Sequence, residues 1–388
     1  MRVLFSFIGG NGHFRPLVPI ARAVESAGHT IVFACSSRRQ SLPESETFPT
    51  LLLDQPKSSK TTPEMTPLRP LSVAREEAEL RENFARRGAQ KRVPGMITAC
   101  QMWKPDIIVC DEVDFGTMIA AEYLGIPHAT VVVIASGSFI RPDVVAEPLN
   151  ELRREYSLPE DSNVEMLSRY LVFNPTPPSF RDPKFPLPPT AQLIYPFEKQ
   201  DISSLLPIAE YDNSLPTVYF TLGTVFNIES GDLFSRVLAG LRNVEANIIV
   251  TVGKQINPEM FGSQPNNIHI AQFIPQAEIL PHCDLVISHG GSGTVIATLA
   301  HGLPMILMPM GADQINNASR CQSLGFGEVL NVVTMTSSDI AETVNRVLAD
   351  TNYRKVAEGL KAEMDKLPPP THAVSLLERL SRNAQPIA

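Results

Sequence analysis

The chain has 388 residues, of which 43% are hydrophobic and 19% charged, and its formal net charge is −8. The length favours two globular domains, and the acidic balance argues against nucleic-acid binding. Five scattered cysteines without a CxxC pair indicate reduced thiols, and no apolar stretch is long enough to span a membrane, so we expect a cytoplasmic protein without a transmembrane segment.

The first part of the chain alternates strand-like and helix-like segments. Apolar runs predict strands at residues 3–8, 30–35, 106–110 and 128–134. Helical spacing predicts helices that begin near residue 16 and span residues 116–124. Strands that are apolar throughout are buried on both faces, which is typical of a parallel α/β sheet. Two weakly patterned stretches, residues 55–70 and 136–189, are interpreted as acceptor-side structure, and the second contains polar helix-like pieces between proline clusters.

A second α/β series follows a predicted linker at residues 196–216. It has predicted strands at 217–222, 248–252, 284–288 and 305–308, and predicted helices at 233–241, 293–300 and 339–348. We therefore predict an N-terminal domain over residues 1–200 and a C-terminal domain over residues 201–370. A helix over about 371–385 is predicted to pack back on the first domain. Ligands of such sheets bind beyond the carboxyl ends of the strands.

The first candidate site is the stretch GGNGHFRP at residues 9–16, after the first strand. The stretch does not match the glycine fingerprint of dinucleotide-binding proteins, because Arg15 stands where the third glycine is needed. What remains is a tight turn that places His13 at the mouth of the sheet. A histidine there can act as a general base if a carboxylate stabilises it, and Asp111 is the best partner. Glu112 and Asp114 compete for that role, and the spacing also fits simple capping.

The second candidate site is HGGSGT at residues 289–294, between a strand and a helix. Bare N–H groups at a helix N-terminus favour a phosphate, and His289, Ser292 and Thr294 supply further donors. The spacing is also compatible with a glycine-rich turn that binds nothing. Asp313 and Gln314 offer partners for sugar hydroxyls, although an aspartate there is also a common helix cap.

Five motifs in order, at residues 9–16, 105–111, 273–276, 289–294 and 313–314, resemble those of the family 1 glycosyltransferases. That family includes plant small-molecule enzymes and bacterial enzymes of natural-product and macrolide type. The resemblance implies the GT-B fold, with two Rossmann-like α/β domains facing a central cleft. It also implies an inverting sugar transfer with His13 as base and Asp111 as its partner.

By the same resemblance, the donor-binding residues would be Thr224, Phe273, Gln276, His289, Gly291, Ser292, Gly293, Thr294, Asp313 and Gln314. No metal and no cofactor are expected, because the co-substrate is the nucleotide sugar. Many members that use UDP-sugars carry a glutamate for the ribose at the position of Ala297. We therefore favour a dTDP-sugar, with a UDP-sugar as the alternative.

The acceptor is expected to be a small hydrophobic molecule. The loops carry ten apolar side chains that could contact it, although we expect most of them in the core. These residues are Met65, Leu68, Phe84, Met102, Trp103, Phe139, Ile140, Leu167, Tyr170 and Phe173. A nucleotide-sugar epimerase on a related scaffold and a C-glycosyltransferase remain alternatives, and a homodimer is left open.

Overall fold

The computed structural model describes residues 1–55, 65–198 and 212–388. Within these ranges the strands form two parallel sheets, of seven and six strands. The strands of the first sheet are β1 (Arg2–Ser6), β2 (Thr30–Cys35), β3 (Thr50–Leu52), β4 (Ile107–Asp111), β5 (His128–Val131), β6 (Leu171–Asn174) and β7 (Ala191–Leu193). Their spatial order is β3-β2-β1-β4-β5-β6-β7.

The second sheet repeats the same winding. Its strands are β8 (Thr217–Thr221), β9 (Asn247–Thr251), β10 (Ile268–Ala271), β11 (Leu285–Ser288), β12 (Met305–Leu307) and β13 (Gly327–Val329). Their order is β10-β9-β8-β11-β12-β13. In each sheet the strand order reverses at one place, between β1 and β4 and between β8 and β11. Loops diverge at such a switch point, so it is where parallel sheets bind ligands.

Helices cover both faces of the two sheets. Those of the first half are α1 (Asn11–Phe14), α2 (Val18–Ser26), α3 (Ser41–Ser45), α4 (Val73–Glu79), α5 (Ala89–Trp103), α6 (Phe115–Leu124) and α7 (Pro142–Glu155). Those of the second half are α8 (Leu233–Leu241), α9 (Gln276–Ile279), α10 (Ser292–Ala300), α11 (Gln314–Leu324), α12 (Ser337–Ala349), α13 (Thr351–Met364) and α14 (His372–Asn383). A π-helical turn, Leu80–Gly88, joins α4 to α5.

The strands are buried on both faces, as their apolar sequences predict. In β1, Val3 and Phe5 enter one core cluster, while Leu4 enters the cluster on the opposite face. The predicted α/β architecture with two parallel sheets is therefore confirmed. Leu376 and Leu380 of α14 lie in the cluster of the first domain, so the end of the chain packs on that domain.

Several elements differ from the sequence-based expectation. The strand predicted over residues 128–134 ends at Val131, because the backbone N–H groups of Val133 and Ile134 donate to the side chain of Glu112 instead of a neighbouring strand. In the stretch 136–189, α7 forms where helix-like pieces are expected, whereas the strand β6 is not predicted. Part of the other stretch, residues 56–64, and part of the predicted linker, residues 199–211, lie outside the described residues.

In the described parts of the chain, no helix is both long and apolar enough to cross a membrane.

Candidate active site

His13 and Asp111 meet at the switch point of the first sheet. β1 and β4 are neighbours with Ser6 beside Cys110, so the loop after β1 and the end of β4 emerge side by side. His13 lies in α1, where its backbone N–H donates to Gly10 O at 3.0 Å. Its imidazole lies directly on the backbone of Gly9, where a Cβ atom would approach His13 Cδ2 to 1.9 Å. Only glycine at position 9 therefore permits this ring position.

The carboxylate of Asp111 is held in place by backbone N–H groups, independently of the histidine. It is fully buried, and its oxygens accept from the N–H groups of Ile8 and Val113, both at 2.9 Å. His13 Nδ1 lies 3.4 Å from Asp111 Oδ2, an ion-pair distance rather than a short hydrogen bond. The side chain of His13 remains 25% exposed, so the ring is accessible from the cleft.

Two opposing effects set the pKa of His13. Burial disfavours the imidazolium, but the attraction of Asp111, with additional contributions from Asp313 and Glu112, outweighs it and raises the pKa above 6.5. A histidine in this environment is a competent proton acceptor.

The other two acidic candidates have different partners. Asp114 is buried and pairs with Arg92, Nη2 to Oδ2 at 2.8 Å, and accepts from Ser6 Oγ at 2.6 Å. Glu112 accepts from two backbone N–H groups after β5, at 2.7 and 2.6 Å. Of the three carboxylates at this strand end, Asp111 is the one that pairs with His13.

The second switch point carries the glycine loop. β8 and β11 are neighbours, and the loops that follow them contain Gly223 and His289. Gly223 and Gly290 have positive φ, +73° and +85°, which a side chain would strain. A Cβ atom at Gly223 would lie 2.7 Å from His289 Cε1, and one at Gly291 would lie 2.6 Å from His289 Nε2. The ring of His289 is therefore held between two glycine backbones.

His289 is neutral and has an unsatisfied polar atom. Burial lowers its pKa to about 4. Its Nδ1 is buried without a hydrogen-bond partner among the described residues. Such an atom is rare in a native fold, and its position beside the N-terminus of α10 suits a ligand oxygen.

The N-terminus of α10 is open to a ligand. Gly291 is its N-cap, and no side chain caps the helix. A Cβ atom at Gly293 would meet nothing within 4 Å, so the space in front of the first turn is free. Uncapped N–H groups together with the helix dipole favour a phosphate at this point.

Asp313 belongs to a hydrogen-bonded cluster that the sequence did not reveal. Its Oδ2 accepts from Ser292 Oγ at 2.6 Å and from Asn317 Nδ2 at 2.8 Å. The hydroxyl group of Ser292 thus donates its hydrogen bond to Asp313. A contact of Ser292 with phosphate stays a prediction, and it would use the backbone N–H of this residue. Burial raises the pKa of Asp313, against the hydrogen bonds that favour its charged form.

The same cluster joins the two domains. Ser292 Oγ accepts from Ala135 N at 2.8 Å, and Asn317 Oδ1 accepts from Ser136 N at 3.1 Å. The charge of Asp313 contributes to the raised pKa of His13, so the loop that carries Asp313 lies close enough to act on the candidate base.

A segment of the first domain crosses to the second on the same cleft. Thr66 N donates to Ile228 O at 2.8 Å, and Gly231 N donates to Thr66 O at 3.2 Å. On α4, Glu76 Oε2 accepts from Ala312 N at 2.8 Å. The sequence motifs gave no sign of these contacts, since they join residues far apart in the chain.

The remaining predicted donor residues surround the loop. Gln276 Nε2 donates to Thr294 Oγ1 at 3.3 Å, and Thr224 is exposed beside the Gly223 turn. Phe273 is 53% exposed, with Lys254 Nζ at 5.2 Å from its ring centre. An exposed aromatic face of this kind can stack on a base.

Gln314 is placed differently from an open sugar ligand. It is 1% exposed, and its Oε1 accepts from Met310 N at 2.8 Å and Gly311 N at 3.2 Å. Its carbonyl oxygen therefore shapes the loop, and its contact with a sugar stays a prediction. Among the described residues, no group of three His, Cys, Asp or Glu side chains is arranged to hold a metal ion.

Comparison with known proteins agrees with this geometry. Residues 235–380 match the family described as erythromycin biosynthesis protein CIII-like, C-terminal domain. The 3-alpha-mycarosylerythronolide B desosaminyl transferase of Saccharopolyspora erythraea is 26% identical, over 74% of this chain and 72% of the relative. The tylactone mycaminosyltransferase of Streptomyces fradiae is 26% identical, over 98% of this chain and 92% of the relative.

A solved structure shares the whole fold. The spinosyn rhamnosyltransferase SpnG complexed with thymidine diphosphate has a TM-score of 0.80 at 20% identity, covering 97% of this chain and 100% of that chain. Fold and site together thus define a glycosyltransferase of the GT-B fold. Within that class, the match over residues 235–380 and the two relatives above support the resemblance to the family 1 natural-product glycosyltransferases that the five motifs indicate.

We expect Asp111→Asn to lower the pKa of His13 from above 6.5 to below it. The variant keeps the shape of the side chain but removes the charge that offsets burial. The pKa is measured from the pH titration of the His13 imidazole resonances by NMR. Asp143→Asn, at an exposed carboxylate on α7, is the control that leaves the titration unchanged. A His13 pKa that stays above 6.5 in Asp111→Asn would contradict the assigned pair.

His289 predicts a pH dependence of stability. Its pKa is about 4 in the folded chain against 6.5 when unperturbed, so between these values the unfolded chain binds the extra proton and stability falls as the pH is lowered. His289→Gln should reduce the loss of unfolding free energy between about pH 7 and about pH 5 by about 2 kcal/mol.

Urea unfolding followed by circular dichroism measures this difference. His372→Gln, at an exposed histidine of α14, is the control. Equal pH slopes for the wild type and His289→Gln would show that the His289 ring is not kept neutral by burial.

Proposed function

We propose that the enzyme transfers a sugar, commonly a deoxysugar, from a dTDP-sugar to a hydroxyl group of a small hydrophobic natural product, with inversion at the anomeric carbon. One observation carries the proposal: the His13–Asp111 pair and the uncapped N-terminus of α10 lie at the switch points of two sheets that share one cleft. A base on one side and an anion site on the other are what a direct displacement needs.

In the proposed step, His13 removes the proton of the acceptor hydroxyl as its oxygen attacks the anomeric carbon. The new bond forms while the bond from that carbon to the diphosphate oxygen breaks, and the diphosphate leaves with the electron pair. Asp111 stabilises the imidazolium that results. This assignment is supported by the buried carboxylate, fixed by two N–H groups, and by the accessible ring of His13.

We assign stabilisation of the leaving diphosphate to the first turn of α10 and to His289. Support comes from the free space at Gly293 and from the unpartnered Nδ1 of His289. Fixed N–H dipoles stabilise a developing anion without having to reorient during the reaction. On this proposal the transfer uses no metal and no further cofactor.

Asp313 and Gln314 are the proposed sugar-side residues. The carboxylate of Asp313 is oriented by Ser292 and Asn317, and it lies near enough to His13 to affect the pKa of the base. A sugar bound between them would have its hydroxyls beside Asp313 and its anomeric carbon towards the cleft. Asn317 and Ser292 act as positioning residues in this arrangement.

The donor base is proposed to be thymine on a deoxyribose. Ala297 lies on α10 and is 7% exposed within an apolar cluster, so it offers no partner for a ribose 2′-hydroxyl. The solved relative complexed with thymidine diphosphate supports the same choice. Phe273, with Lys254 beside its ring, is the proposed surface for base stacking.

The acceptor is proposed to be an apolar aglycone. Phe84 stands beside the base, with its ring centre 6.5 Å from that of His13 and the planes 18° apart. The relatives named above act, by their names, on 3-alpha-mycarosylerythronolide B and on tylactone. An apolar wall next to the base suits a molecule of that character better than a free sugar.

His13→Ala should reduce kcat/KM for sugar transfer by roughly a thousandfold, because the general base is lost. Binding of dTDP, measured by calorimetry, should stay intact, since the nucleotide site is on the other domain. His372→Ala is the matched control, which keeps full activity.

Incubation with the donor alone separates transfer from epimerisation. A transferase leaves the donor sugar unchanged or slowly hydrolyses it, whereas an epimerase accumulates a new nucleotide sugar. Near wild-type transfer by His13→Ala would rule out its role as base, and an epimerised donor would favour the alternative function.

A nucleotide series tests the donor. We expect dTDP and dUDP to bind alike and UDP to bind about tenfold more weakly, because its 2′-hydroxyl is buried without a partner beside Ala297. Calorimetric titration of the three nucleotides provides the comparison. dUDP is the matched probe, since it lacks both the 2′-hydroxyl and the 5-methyl group. UDP binding as tight as dTDP would refute the argument from Ala297.

A further inference from the structure

A cavity of about 230 Å³ lies in the first domain, next to the proposed base but outside the residues assigned above. Glu112, which follows Asp111 directly, lines it, and the charge of Glu112 also affects the pKa of His13. Ile140, Leu167 and Leu187 contribute an apolar lining. The cavity therefore lies beside the strand end that carries Asp111.

Arg181 provides an unpaired positive charge in this cavity. Its Nε donates to Phe185 O at 2.8 Å, whereas its Nη1 is buried without a hydrogen-bond partner. Within the described ranges, no carboxylate lies within the 4.0 Å ion-pair distance of its guanidinium. A guanidinium nitrogen that is buried without a partner is unfavourable unless something else pairs with it.

The position of the guanidinium is built into the backbone. Gly137 has a φ of +80°, and a Cβ atom there would lie 1.9 Å from Arg181 Cζ. The planar group thus lies against bare backbone, and its Nε is held by Phe185 O. Such a fixed fork matches the geometry of a carboxylate.

The neighbouring charges do not neutralise Arg181. Glu112 Oε1 accepts from the N–H groups of Val133 and Ile134. Burial raises the pKa of Glu112 to about 7, so near neutral pH it carries only part of a charge. Asp182 accepts from Lys184 N at 2.9 Å.

The second arginine of the lining is already paired. Arg141 Nη2 donates to Glu77 Oε1 at 2.7 Å, and its Nε donates to Asp143 Oδ1 at 3.2 Å. Arg181 is therefore the lining cation that a ligand can satisfy.

We propose that this cavity is an acceptor subsite for a carboxylate, which the guanidinium of Arg181 binds while the apolar lining surrounds the carbon skeleton. Whole small-molecule ligands fill about 300–1,000 Å³, so this volume takes one ring and its substituent rather than an entire aglycone. The occupant is the carboxylate-bearing end of an otherwise apolar acceptor. This last point rests on the proposed transfer function, whereas carboxylate binding does not.

Benzoate and benzamide are matched probes of this site. They have the same ring and differ in charge, and ligand-observed NMR titration of the full chain measures both affinities. We expect benzoate to bind about tenfold more tightly than benzamide, and Arg181→Gln to remove this difference. Arg154→Gln, at an exposed arginine of α7, should leave the difference unchanged. No benzoate binding, equal binding of the two probes to the wild type, or retained selectivity in Arg181→Gln would overturn the proposal.

Arg181→Lys covers the case in which Arg181→Gln does not fold. Lysine keeps the positive charge but loses the two-pronged fork, so benzoate should bind several-fold more weakly than to the wild type while still exceeding benzamide. Benzoate affinity as high as in the wild type would overturn the assigned role of the guanidinium.

Kinetics link the cavity to the acceptor. Benzoate should inhibit sugar transfer competitively with the acceptor and leave dTDP binding unchanged. Selective benzoate binding through Arg181 without competition would overturn the acceptor assignment. If the chain transferred no sugar at all, the proposed function would fail, yet the benzoate titrations would still decide whether the carboxylate site exists.

Discussion

A buried hydrogen-bonded cluster around Asp313 links the two domains at the cleft. Ser292 Oγ and Asn317 Oδ1 accept from the backbone N–H groups of Ala135 and Ser136, at 2.8 and 3.1 Å, and the same two side chains donate to Asp313. Buried polar groups must keep their partners, so this cluster has few alternative arrangements. The same contacts therefore link the two domains and orient the Asp313 carboxylate.

Both histidines are positioned by backbone rather than by side chains. The ring of His13 lies on Gly9, and that of His289 lies between Gly223 and Gly291. A methyl group at any of these glycines would approach ring atoms to between 1.9 and 2.7 Å, well inside van der Waals contact. The glycines of the two loops therefore do more than form turns, because they bring each imidazole against a strand end where parallel sheets bind their ligands.

The sequence predicted the parts of the site that follow local rules. Glycine spacing after an apolar strand located His13 and His289, whereas Asp111 could not be separated from Glu112 and Asp114, because all three emerge from one strand end. In the structure, partners that are distant in the sequence distinguish these carboxylates, since Arg92 pairs with Asp114 and His13 with Asp111. In the same way, the end of β5 depends on a side-chain acceptor from another loop, which no periodicity of the strand itself can indicate.

The pKa of His13 is raised and that of His289 is lowered, because only His13 has a carboxylate partner. Burial disfavours the charged form of each ring, but the carboxylate of Asp111 outweighs this effect at His13, whereas burial alone acts on His289. In the proposed reaction, this difference in pKa matches the different roles of the two rings. The proton of the acceptor arrives where an imidazolium is already stabilised, and the negative charge of the diphosphate arrives at a neutral ring. A bound diphosphate would itself favour the charged form of His289, so donor binding and proton uptake at that ring are coupled. On this proposal, His289 is neutral before the donor binds, and the diphosphate is the anion that would make its charged form favourable.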